Sequence, residues 1–208
     1  MELKIYNGND ISCNSYLLIK NNKAVIIDPI IKSEKLVSFL KENNICLLAI
    51  LLTHGHYDHI RGVETLKKHF DCPIYIHYEE QEIIVDEYHN GSVYFNDFYA
   101  LKEEFSYFDE QLEIGDIEFR VIHTPFHTQG SVVIYVKELN ALFSGDTLFK
   151  RSIGRFDLYS GNKRQINDSL NKLILLYKEL GNMKVYPGHG ASTSLEEEIK
   201  FNPYFSLK

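Results

Sequence analysis

The segment Thr53-His54-Gly55-His56-Tyr57-Asp58-His59 puts three histidines and a carboxylate within six residues. Imidazole and carboxylate are ligands for zinc, iron and manganese. A histidine-rich turn arising by chance is a poor account of four ligand-type side chains this close together. If the turn is extended, His54 and His56 can point at one ion, leaving Asp58 and His59 to face a second on the other side of the loop. The apolar run Ile45 to Leu52 leads directly into the segment. It reads as a buried strand, and a strand end is where a scaffold holds ligands rigidly.

Two ions need more donors than one loop supplies. His127 lies in Thr124-Pro125-Phe126-His127-Thr128-Gln129-Gly130-Ser131, between two predicted strands. Asp146 lies in Ser144-Gly145-Asp146-Thr147, and His189 in Tyr186-Pro187-Gly188-His189-Gly190. Each follows a strand beside glycine or proline, in turns that let a side chain reach a shared cleft. Any one of them alone would read as structural; the His54–His59 cluster gives them their weight.

These residues carry a resemblance. Asp28 in Ile27-Asp28-Pro29, the His-x-His-x-Asp-His segment, His127, the Ser-Gly-Asp-Thr-Leu-Phe segment and Pro-Gly-His-Gly occur in one order over residues 28–190. In this the chain resembles the metallo-β-lactamase superfamily and, within it, the glyoxalase II-like hydrolases. The resemblance implies an α+β fold, a four-layer αββα sandwich with a metal cleft along one edge, formed by one domain over residues 1–208. It implies that His54, His56 and His127 hold a first metal, that Asp58, His59 and His189 hold a second, and that Asp146 bridges the two. Asp28 would brace the metal loop from behind through hydrogen bonds. The implied cofactors are two divalent ions, zinc first, with iron or manganese as alternatives.

Ser152-Ile153-Gly154-Arg155-Phe156-Asp157 extends the resemblance to compact glyoxalase II-like and persulfide dioxygenase branches. Larger glyoxalase II enzymes grip glutathione with a lysine and a tyrosine here, where this chain carries Arg155 and Asp157. Arg155 can bind a substrate carboxylate; the competing reading is an Arg155–Asp157 ion pair. The chain ends eighteen residues past Gly190, so the helical domain that completes the glutathione site in those enzymes is expected to be lacking. Phe126 stands where many relatives have glycine. Phenylalanine does not take a left-handed turn cheaply, so either the backbone is ordinary or the ring fills part of the cleft. His69, His77, His89 and His123 fall outside the motif and read as structural or surface, with His123 the best candidate to sit against the ligands.

The chemistry expected is hydrolysis. A two-metal site lowers the pKa of bound water to about 7, giving a metal-bridging hydroxide that attacks a carbonyl while the metals stabilise the oxyanion. Asp58 could assist proton movement. By the resemblance the substrate is a small anionic thioester such as an S-lactoylglutathione or another S-acylglutathione. The main rival is a mononuclear-iron persulfide dioxygenase, with a nearly identical ligand set and the same Gly-Arg-x-Asp segment. Other ester, lactone or phosphodiester hydrolases follow, and a nuclease is disfavoured because a net charge of −7, from 22 Lys plus Arg and 29 Asp plus Glu, offers no cationic face. A di-iron flavoprotein would carry glutamate at His56. A β-lactamase would normally place a cysteine in the second site. A non-enzymatic binding module is the bland alternative.

The elements that must position these groups alternate along the chain. Strands are expected at 2–6, 14–20, 23–28, 45–52, 73–77, 117–123, 131–137, 141–144 and 183–186. Helices are expected at 33–43 with Ser33 as N-cap, at 61–70, 79–88 and 163–180, and from Thr193 to Lys200 with Thr193 and Glu196 at capping-box spacing. The aromatic stretch 89–108 reads as a surface excursion packing back on the body, or as a substrate-facing lid. An apolar content of 44% with 25% charged residues is that of an ordinary globule. Three unpaired cysteines point to a reducing compartment. The amino terminus lacks a secretory pattern, and no apolar run approaches the roughly 20 residues of a membrane span. The expectation is a cytoplasmic monomer or small homo-oligomer without nucleic-acid or membrane partners.

Overall fold

A computed structural model describes residues 1–7, 13–29 and 34–206. Six strands form the first sheet in sequence order: β1 Glu2–Tyr6, β2 Ser15–Lys20, β3 Lys23–Ile27, β4 Cys46–Leu51, β5 Ile74–Ile76 and β6 Phe105–Tyr107. Six more form the second: β7 Gln111–Ile114, β8 Ile117–His123, β9 Val132–Val136, β10 Ala141–Gly145, β11 Lys184–Pro187 and β12 Thr193–Ser194. Both sheets are mixed. β3, β4, β5 and β6 run parallel to one another, as do β10 and β11, and the remaining neighbours are antiparallel.

Strand alternation sorts the core into three layers, because successive side chains point to opposite faces. On β2, Tyr16 and Leu18 face the second sheet, while Leu17 and Ile19 face the helices α1 (Glu34–Glu42) and α3 (Val63–Lys67). On β9, Val132, Ile134 and Val136 meet the first sheet; Val133 and Tyr135 turn toward α5 (Ile166–Leu180) and α6 (Leu195–Phe201). Such two-sided burial explains why β2, β3 and β9 read as near-continuous apolar runs. The result is the expected four-layer αββα sandwich.

The differences from the expected elements are local. The helix expected at 61–70 is the shorter α3, and a separate helical turn, α2 (Tyr57–Ile60), precedes it. That expected at 79–88 is a 3₁₀ turn, Tyr78–Glu80, followed by α4 (Gln81–Ile84). The strands β6, β7 and β12 were not expected; with two to four residues each they are too short for an alternating pattern to show. Because Thr193 and Ser194 pair with β11, the cap of α6 moves one residue on, and the Ser194 side chain accepts from the Glu197 N–H. The Ser33 cap lies outside the described residues.

Candidate metal centre

The chain ends of β3, β4, β10 and β11 and the β8–β9 turn meet on one edge of the sandwich. Backbone hydrogen bonds between the sheets help close that edge: Val132 N–H donates to the Thr53 carbonyl (3.0 Å), and Asn14 N–H to the Gly188 carbonyl (2.6 Å). All seven expected ligands converge there.

After β4 the backbone stays extended through His56 (φ −68°, ψ 148°) and then turns into α2. The extension puts His54 and His56 on one side, and the helical turn swings Asp58 and His59 to the other. His127, from the β8–β9 turn, meets the first pair: its Nε2 is 2.9 Å from His56 Nδ1 and 3.2 Å from His54 Nε2. Its Nδ1 donates to the Arg155 carbonyl (2.6 Å), which leaves the Nε2 lone pair for the cluster. Burial, with neighbouring imidazoles, pushes the pKa of His56 down to about 3 and those of His54 and His127 below the ordinary range. These rings are neutral at pH 7, the state in which imidazole is a ligand.

The second group is mixed. His189 Nε2 is 3.0 Å from Asp58 Oδ2, and His59 Nε2 is 3.6 Å from the same oxygen. Asp146 lies between the groups. Its Oδ1 is 3.3 Å from His59 Nε2 and 3.6 Å from His189 Nε2, and its Oδ2 is 3.5 Å from His127 Nε2. Burial opposes charge on His59, but Cys13 and the Asp58, Asp28 and Asp146 carboxylates outweigh it and raise the pKa. A positive charge is thus favoured where the carboxylates converge. Among the described residues, His56 Nε2, His59 Nε2 and Asp146 Oδ1 are buried without a hydrogen-bond partner. Buried polar atoms are rarely left so, and His59 Nε2 and Asp146 Oδ1 face one another across this centre. Donor types, convergence and these orphaned atoms fit divalent ions.

Asp28 stands behind the loop. Its Oδ1 accepts from Thr53 N–H (2.8 Å), and its Oδ2 from Thr53 Oγ1 (2.7 Å) and lies 2.9 Å from His59 Nδ1. It therefore fixes both the backbone entering the loop and the ring orientation of His59. Gly188 is required by proximity: a Cβ there would lie 2.3 Å from Asp146 Oδ1 and 2.8 Å from His59 Cε1.

One residue that the sequence did not single out belongs here. Glu80 is fully buried. Its Oε2 accepts from Gly55 N–H (2.6 Å) and its Oε1 from Gly130 N–H (2.7 Å). The carboxyl ties the His54/His56 loop of the first sheet to the His127 turn of the second, and burial lifts its pKa to about 7. Its only sequence signal is a place in the polar stretch after β5.

The remaining expectations divide. Arg155 makes the ion pair, with Nε and Nη2 at 2.7 and 2.9 Å from the Asp157 carboxylate, and it also borders the cleft. Phe126 has no left-handed backbone and is buried against α5, so its ring does not fill the cleft. His123 does not sit against the ligands; it stacks on His77 at 4.0 Å. In the aromatic stretch, Tyr99 and Leu101 pack into the core, whereas Tyr94 and Phe95 border a cleft of about 700 Å³ above His56, Asp58, His127, Asp146 and His189. Phe149 and Leu158 form its other wall. No helix among the described residues is long and apolar enough to cross a membrane.

A family model of the metallo-beta-lactamase superfamily matches residues 8–189. The probable metallo-hydrolase YqgX of Bacillus subtilis is 34% identical over 199 residues, covering 94% of this chain and 93% of that protein. The hydroxyacylglutathione hydrolase GloC of Haemophilus influenzae is 29% identical over 189 residues, 89% of this chain and 88% of its own. Among solved structures, the B3 metallo-beta-lactamase BLEG-1 superposes with a TM-score of 0.89 at 35% identity, covering 99% of this chain and 100% of its own. TTHA1623 in a di-iron-bound form gives 0.85 at 31%, covering 97% and 99%. ETHE1 from Myxococcus xanthus gives 0.76 at 25%, covering 98% and 84%.

Proposed function

The chain belongs to the metallo-β-lactamase superfamily, and from that premise we propose that it is a binuclear metal-dependent hydrolase of small anionic thioesters, S-lactoylglutathione among them. The observation that carries the reading is the junction at Asp146. One carboxylate stands between an all-imidazole group and a mixed group, on the floor of an aromatic-walled cleft. His54, His56 and His127 would hold one ion and Asp58, His59 and His189 the other, with Asp146 between them. Zinc suits these donors, as do iron and manganese; the di-iron form of TTHA1623 keeps iron in view. Divalent ions bound there supply Lewis-acid polarisation of a carbonyl and a water acidic enough to act as a nucleophile near neutral pH.

The chain's own groups do the rest. His127 and His59 are held in one orientation by the Arg155 carbonyl and by Asp28, so neither ring must reorganise during the reaction. Asp58 lies at the cleft, paired with His189 Nε2, where it can take and return a proton. Tyr94, Phe95, Phe149 and Leu158 cover the apolar part of a substrate and keep bulk water from its carbonyl. Expulsion of a thiolate needs little acid assistance. Arg155 can meet a substrate carboxylate at the rim by exchanging Asp157 as its partner.

The thioester draws support from GloC, a hydroxyacylglutathione hydrolase. ETHE1 keeps a persulfide dioxygenase as the second reading. BLEG-1, a B3 metallo-beta-lactamase, keeps a β-lactam among the substrates to test; the second group here is Asp58, His59 and His189. Purified protein would be analysed for metals and assayed in parallel for S-D-lactoylglutathione hydrolysis, oxygen uptake with a glutathione persulfide, and nitrocefin hydrolysis. Two ions per catalytic centre with thioester turnover support the reading. One iron with persulfide-dependent oxygen uptake, or turnover of the β-lactam alone, overturns it.

A further inference from the structure

A second convergence of ligand-type groups lies away from the cleft, where the two sheets meet beside the His127 turn. His77 follows β5, Glu79 sits in the 3₁₀ turn after it, and His123 ends β8. Each offers one ligand atom within 4.8 Å of the others. Glu79 Oε2 is 3.3 Å from His123 Nε2 and 3.9 Å from His77 Nδ1. Among the described residues no lysine or arginine pairs with Glu79; the Tyr78 hydroxyl donates to its Oε1 (3.2 Å), and the two imidazoles face its Oε2. Burial, with His123 beside it, pushes the pKa of His77 down to about 4. At neutral pH the His77 ring is therefore uncharged, the state in which imidazole is a ligand.

We propose that His77, Glu79 and His123 form a peripheral divalent transition-metal site, distinct from the cleft, that takes zinc or another imidazole-preferring ion. Two nitrogens and one carboxylate oxygen are a zinc donor set, with the fourth position left to solvent. The rings stack at 4.0 Å with 17° between planes. An ion in the plane of one ring is thus out of the plane of the other, and binding requires one ring to turn. His123 has the room: its side chain is a third exposed and borders a cavity of about 450 Å³. Asp109, Glu110, Arg120 and Lys172 border the same cavity; the Arg120 guanidinium is paired with Glu179 (2.7 Å), and the Lys172 ammonium is anchored on the His123 carbonyl (2.6 Å). The turn exchanges the His123 Nε2–Gln129 carbonyl hydrogen bond (2.8 Å) for a metal bond. Gln129 is also held by its Nε2 on the Glu79 carbonyl (2.7 Å). An ion here would therefore pin the first sheet to the turn that carries His127.

The test uses the full chain with its catalytic ions in place, exposed to excess zinc and then counted for zinc per chain. The wild type takes up one further equivalent, and its melting temperature rises with added zinc. His123→Gln and Glu79→Gln each lose that equivalent and the rise, while retaining the tightly held ions, the zinc-free melting temperature and the basal turnover. Glu79→Asp, which keeps the carboxylate, recovers part of the uptake. No further equivalent in the wild type, or one that persists in both Gln variants, overturns the site. Neither result depends on which substrate the cleft turns over.

Discussion

The two sheets contribute to the metal centre in opposite styles. The first sheet spends one loop, where residues 54–59 deliver four ligands from an extended stretch and the first turn of α2. The second sheet delivers His127, Asp146 and His189 one at a time, from three separate strand ends. A loop of consecutive ligands can keep its internal spacing even if it shifts as a body. Three isolated ligands keep theirs only while three strands stay in register. The difference teaches where precision comes from: the second sheet is held by its pairing, and the loop is held by carboxylates reaching behind it. Asp28 does this from the first sheet, and Glu80 does it between the sheets.

The largest effect is expected at the residue that belongs to both groups. Asp146→Ala removes the carboxylate between them and forfeits several kcal/mol of transition-state stabilisation, about 10³-fold or more in kcat. Elemental analysis should show the loss of more than one ion. His189→Ala, a second-sheet ligand of one group only, should retain an ion on His54, His56 and His127. Equal metal loss in the two variants would erase the distinction drawn here.

Asp28→Asn probes the loop alone. The substitution preserves size but changes what His59 Nδ1 and Thr53 meet, and such supports are worth about 10–100-fold in metal affinity or activity. A chelator competition titration should show weaker binding in the group containing His59, with the fold intact by circular dichroism.

Glu80 sharpens the comparison through pH. Its carboxyl is held at a pKa of about 7 in the folded chain against an ordinary 4.5. The folded state therefore keeps a proton that the unfolded chain releases. Below pH 4.5 both states are protonated and no penalty applies; between 4.5 and 7 the folded state loses relative stability; above 7 the loss is complete. The total is about 3 kcal/mol. Glu80→Gln should flatten this part of the stability–pH curve measured by urea unfolding. Glu80→Ala leaves the Gly55 and Gly130 N–H groups buried without acceptors, at about 1–3 kcal/mol each. An unchanged slope in Glu80→Gln would show that the clamp is ionised throughout.

The smallest effect belongs to the cleft wall. Tyr94→Ala removes an exposed aromatic that touches no proposed ligand and should raise KM by about tenfold or less, with kcat near wild type. A fall in kcat with KM unchanged would instead assign Tyr94 to the chemistry.

The same contrast governs what the sequence could reveal. The first sheet's loop was legible from residue types alone, because four ligands fall within one turn. His127, Asp146 and His189 are single residues in strand-end turns, and they stand out only beside the His54–His59 cluster and by their order in the family resemblance. Glu80 carries no local signal beyond its place in a polar stretch. It sits among other acids, and its burial is decided by contacts with residues 25 and 50 positions away. The long apolar strands and α5 were legible by period, but β6, β7 and β12 are edges whose existence depends on a neighbour already being in place. His123, expected to sit against the ligands, stacks on His77 at the end of β8 instead, a placement fixed by the meeting of the two sheets and not by local sequence.

The central claim is that two ions, one on each group, serve thioester hydrolysis. The direct measurement is a titration of metal-free protein with zinc while following S-D-lactoylglutathione hydrolysis. The account predicts that turnover rises through the second tightly bound equivalent and is abolished in Asp146→Ala. Full activity at a single equivalent, or two bound equivalents with no thioester turnover, would contradict it.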